Sequence, residues 1–85
     1  MPSDQFEYLS NEYAQALQAY QAIESQSSTL MLMGSSAELR NFLDQFIAMA
    51  TRTRGVAEEA GEANFVEWFG ELIEKAEKLR GAVPR

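Results

Sequence analysis

The sequence predicts an all-α fold: an antiparallel helical hairpin over about 4–33 and 36–60, a shorter third helix over about 64–80, and a three-helix bundle completed by oligomerisation. Three observations carry that reading. Val, Ile and Thr together number only nine in a chain of 85 residues, while Ala, Glu, Gln and Leu dominate, so intrinsic preference favours helix over strand. Apolar side chains recur at three-four spacing in three separate segments. Isolated glycines, Gly34 and Gly61, stand where the apolar phase breaks.

In the first segment Phe6, Leu9, Tyr13, Ala16, Leu17, Tyr20, Ile23, Ser27 and Leu30 form one stripe, and Ser3 or Asp4 is placed to cap its start. The run Ser25-Gln26-Ser27-Ser28-Thr29 is its weak stretch, because hydroxyl side chains compete for backbone hydrogen bonds. Ser27 and Leu30 nevertheless stay in phase, which carries the helix on to about Met33. The second segment repeats through Leu39, Phe42, Leu43, Phe46, Ile47, Met49, Ala50, Thr53, Val56, Ala57 and Ala60. Ser35-Ser36-Ala37-Glu38 before it reads as a capping box, with Gly34 ending the helix that precedes. In the third, Phe65, Val66, Trp68, Phe69, Leu72, Ile73, Ala76 and Leu79 share a broad face. Asn64 with Glu67 reads as a second capping box, and residues 81–85 as a short C-terminal tail of the single domain 1–85.

Composition excludes several chemistries. The chain has no cysteine and no histidine, so disulfides, thiolate nucleophiles, thiolate metal sites and the commonest general base are all absent. Thirteen acids against seven bases give a formal charge of −6, which opposes sequence-independent binding to nucleic-acid phosphates. The start is polar and acidic, without a basic n-region or apolar h-region, and no apolar run approaches a bilayer span. A soluble, cytoplasmic protein that needs no cofactor and contacts neither nucleic acid nor membrane is the expectation.

The remaining candidate chemistry is weaker than its plain alternatives. Glu67, Glu71 and Glu74 project together, yet opposite the apolar stripe, and Glu71 with Lys75 and Glu74 with Lys78 make the acid-before-base pairs of a solvated helix. A carboxylate kept in water has no cause for the raised pKa of a general acid. Glu58, Glu59 and Glu62 lack the alternating oxygen ligands of a calcium loop, and Gly55, Gly61, Gly70 and Gly81 are too widely spaced for a phosphate loop. Arg52 and Arg54 point about 160° apart on a helix and do not form one anion grip. Trp68-Phe69-Gly70 resembles the Trp-x-Gly of the small helical-hairpin proteins of the type VII secretion family. That family carries the motif in the turn between two helices, whereas here it lies inside the stripe of a late helix with no Tyr-x-x-x-acid segment after it. Trp68 is therefore read as a core or interface aromatic.

Geometry is more informative than motif. With helix 3 folded back from Gly61, Arg80 is expected beside about Gln45, which leaves the hairpin tip uncovered. That tip holds Leu30, Met31, Leu32, Met33, Leu39, Phe42 and Leu43, and four consecutive apolar residues at 30–33 face every direction around a helix. Covering one such side chain contributes about 1.5–3 kcal/mol, so a second chain is expected to bury them, most simply in a symmetric dimer. The first helix supports this, since Glu24 is its only charge between Glu12 and Glu38. The function expected is a non-enzymatic, self-associating helical protein–protein interaction module. The alternative is a small acidic inhibitor of antitoxin, immunity or anti-regulator type that covers a basic protein surface. A third reading places an apolar ligand among Phe46, Phe65, Trp68 and Phe69 between helices 2 and 3.

Overall fold

A computed structural model describes residues 4–84. It contains α1 (Asp4–Leu32), α2 (Ser36–Ala60) and α3 (Ala63–Ala82), with no strand among the described residues. The lengths of 29, 25 and 20 residues correspond to about 44, 38 and 30 Å of helix at 1.5 Å per residue. The Cα envelope measures 49 × 17 × 14 Å, so α1 runs nearly its full length.

α1 stays helical through its serine run because the hydroxyls bond within the helix. Ser25 Oγ donates to the Ala22 carbonyl at 3.2 Å and Ser27 Oγ to the Glu24 carbonyl at 2.7 Å, so neither draws the backbone out of register. Both turns close in the same way. The Ser35 amide bonds the Leu30 carbonyl at 2.8 Å and the Gly34 amide bonds Met31 at 3.2 Å. After α2, the Glu62 amide bonds Ala57 at 3.0 Å and the Gly61 amide bonds Glu58 at 3.1 Å. Each is a Schellman closure, and each requires a left-handed residue, supplied by Gly34 at φ 76° and Gly61 at φ 72°.

The helix starts depart from expectation. Ser35 is the N-cap of α2, but with ψ at 33° its hydroxyl makes no capping bond, so the first capping box is not formed. α3 begins at Ala63 with Glu62 as N-cap, because the closure ending at Glu62 lets the next helix start immediately. Asn64 thus lies inside the first turn and the second capping box is absent as well. Ser3, the other proposed cap, lies outside the described residues. The far end of α3 passes through Gly81 to Ala82, two residues beyond the expected stop. Pro84 ends it, since the residue before a proline is driven out of the α region, and Val83 is extended at φ −77°, ψ 127°.

The core runs along the axis. Leu9, Ala16 and Tyr20 of α1 meet Leu39, Leu43, Phe46, Ala50 and Ala57 of α2 and Phe65, Phe69, Leu72, Ile73 and Ala76 of α3, all buried. α1 and α3 lie parallel and join through rings, Phe6 with Phe65 (5.5 Å between centroids) and Tyr13 with both Trp68 (5.6 Å) and Phe69 (5.5 Å), while Phe65 packs on Trp68 of its own helix (5.2 Å). Across the α2–α3 pair the expected register is met to one residue, for Arg80 pairs with Asp44. Arg40 donates to the Pro84 carbonyl beside it, and Val83 is buried.

The glycines supply opposite tests. Gly55 sits in mid-α2 with open space around its Cα, whereas Gly61 needs positive φ. Gly55→Ala is expected to stabilise by about 0.5–1 kcal/mol through helix propensity, and Gly61→Ala to destabilise by about 1–2 kcal/mol through left-handed strain. In thermal unfolding, 1 kcal/mol displaces Tm by roughly 4–8 °C at this size, so the two variants should shift in opposite directions.

Candidate interaction surface

The seven tip residues separate into two groups. Leu39 and Leu43 have no accessible surface and belong to the chain's own core. The sequence reading missed this because α3 and its extension reach further than expected, to Arg40. Leu30 and Met31 are half-buried against that core. Leu32 is 88% exposed, Met33 72% and Phe42 40%, so these three present apolar surface to solvent.

α1 extends the uncharged region far beyond the tip. Successive helical residues rotate by about 100°, which places Tyr8, Asn11, Gln15, Gln18, Ala22, Ser25, Thr29 and Leu32 along the side opposite Leu9, Ala16, Tyr20 and Ser27. All eight are exposed and none is charged at neutral pH. The two carboxylates within this span, Glu12 and Glu24, are turned about 100° or more away from that line. Glu24 accepts the Tyr20 hydroxyl at 3.2 Å on the α3 side. Burial, reinforced by the Glu24 charge, raises the pKa of that phenol above its ordinary value.

The other candidates have local explanations. Glu58 lies 3.8 Å from Arg54, an i, i+4 surface pair, and no group of three carboxylates among the described residues is placed to hold a metal ion. The Arg54 guanidinium lies over Gly70, 3.7 Å from where a Cβ would project. Of the rings read as lining a ligand pocket, Phe46, Phe65 and Phe69 are buried, with Phe46 against Tyr20 at 5.8 Å, while Trp68 turns to α1 instead of α2. An open groove of about 480 Å³ does run between α1 and α3, lined by Leu17, Tyr20, Glu24, Leu72, Lys75 and Leu79. No described helix is long and apolar enough to cross a membrane.

At the tip end, the Arg80 hydrogen bond holds the Asp44 carboxyl below its ordinary pKa, and the charges of Arg80 and Arg40 add to that effect. Comparison of the chain with protein-family models, curated proteins and solved structures finds no match.

Two measurements test the placement. Leu43→Ala should cost about 2–5 kcal/mol in denaturant unfolding and Leu32→Ala less than about 0.5 kcal/mol, because only Leu43 leaves a cavity. Because the folded pKa of Asp44 is depressed, its clamp on Arg80 is present above the ordinary carboxylate range and is lost as pH falls through the lower folded value. The protection of amides in the last turn of α3, measured against their intrinsic exchange rates, should therefore fall on acidification. Asp44→Asn should remove that pH response.

Proposed function

We propose that this chain is a non-enzymatic helical interaction module that self-associates, a dimer being the simplest assembly. One observation carries the proposal: Leu32 and Met33, 88% and 72% exposed, stand at the end of a helix whose outer side bears no charge from Tyr8 onward. Solvated helices ordinarily carry ions on that side, and charge depletion combined with protruding Met and Leu is the composition of an interface centre. The chain's own core does not require this surface, which supports reading it as a contact for another molecule. The tip's structural work is done by Leu39 and Leu43 beneath, so Leu32 and Met33 contribute little to folding.

Light scattering at increasing concentration tests the proposal. The parent should approach twice the mass of the chain at high micromolar concentration. Leu32→Glu with Met33→Glu should remain monomeric with unchanged helical circular dichroism. A parent that stays monomeric throughout would overturn self-association, leaving the surface to a different protein.

A further inference from the structure

We infer that two copies pair antiparallel along the outer face of α1, with the exposed tip of each seated on the Tyr8 end of the other, not tip against tip. This inference rests on the self-association proposed above and specifies its geometry. A two-fold axis near residue 20 sets each position i opposite 40 − i of the second copy. At that register Tyr8 meets Leu32, Asn11 meets Thr29, Gln15 meets Ser25 and Gln18 meets Ala22, and by symmetry each contact occurs twice.

The pattern is self-complementary throughout. The large exposed apolar groups, Tyr8 at 47% and Leu32 at 88%, lie at opposite ends of the face and equally far from its midpoint, so they meet each other only in the antiparallel arrangement. Asn11 with Thr29, and Gln15 with Ser25, bring amides that both donate and accept against hydroxyls, the Ser25 oxygen acting as acceptor because its proton goes to the Ala22 carbonyl. At the axis the long Gln18 faces the small Ala22, which permits close approach.

Charge selects a second copy over a parallel or tip-to-tip arrangement. With a net charge of −6, two copies can approach only where carboxylates do not face one another. The α1 face meets this condition from Tyr8 to Met33, and Glu12 and Glu24 point to either side of it. A parallel pairing would instead set Asp4 and Glu7 beside their own copies. The face is about 39 Å long and about 10 Å wide, so the pair covers about 800 Å² in total, less than the roughly 1,200–2,000 Å² of tight complexes. Exchange at micromolar concentration is the consequence, and it allows labelled chains to be mixed.

The absence of cysteine makes disulfide trapping direct. Helix axes about 8–10 Å apart, with Cα atoms about 2.3 Å from each axis, bring facing positions within disulfide reach. Tyr8→Cys and Leu32→Cys are prepared separately, their fold is checked by circular dichroism, and each is oxidised alone and as an equimolar mixture at a concentration where the parent scatters as a dimer. The mixture should yield covalent heterodimer at least several-fold faster than either variant yields homodimer, and the double variant in one chain should be trapped almost completely. Leu32→Cys cross-linking alone as fast as the mixture would overturn the register in favour of tip-to-tip contact while leaving self-association standing. A dimer by scattering that traps in no combination would also overturn the register. A monomer by scattering would overturn the underlying proposal as well.

Discussion

Everything distinctive about this molecule follows from unequal helix lengths. α1, α2 and α3 have 29, 25 and 20 residues, and two short glycine closures hold them side by side without slack. A helix can bury its apolar stripe only where a neighbour lies alongside, so the longest one is left with ends that the others do not enclose. Near the first end the chain compensates with rings, Phe6 on Phe65 and Tyr13 on Trp68. At the other it compensates with an extension, Val83 packed into the core and Pro84 tied to Arg40. Leu32 and Met33 lie beyond both devices.

The fold was largely legible in the sequence because its determinants are local. Three-four spacing identified each stripe, and Gly34 and Gly61 marked the turns, since each turn needs a backbone conformation that other residues enter only with strain. From those two glycines alone the α2–α3 register came within one residue of the Asp44–Arg80 pair. Helix starts were less legible. Ser35 and Asn64 have the chemistry of capping residues, but capping also requires an extended backbone, and closures that run straight from one helix into the next do not supply it. At the end of α3, Pro84 rather than Gly81 was decisive, because a helical glycine costs about 1 kcal/mol whereas proline obstructs the residue before it sterically.

The candidate surface was legible only in outline. Four apolar residues in succession signal that some must be exposed, but not which ones, and burial had to be resolved residue by residue. Leu39 and Leu43 proved internal because α3 continues two residues past Arg80 and Val83 follows it inward. The aromatic seam shows the same limit. Phe65 and Trp68 share the broad apolar face of α3, and their rings reach Phe6 and Tyr13 on α1, which is adjacent in space and distant in sequence. Periodicity describes one helix at a time and does not say which neighbour a broad apolar face will choose.

The placement of the chain's only tryptophan has a consequence for how folding can be observed. The α1–α2 and α2–α3 hairpins are closed by short turns and carry short-range contacts, which form early at little loop-closure cost, whereas α1 and α3 meet across the whole of α2. Trp68 stands on that last seam, its indole between Tyr13 of α1 and Phe65 of its own helix. Its emission therefore reports the docking of α1 on α3, a long-range event, while far-ultraviolet dichroism reports helix formation itself. A lag between the two signals in a stopped-flow experiment would time the closing of the bundle separately from the winding of its helices.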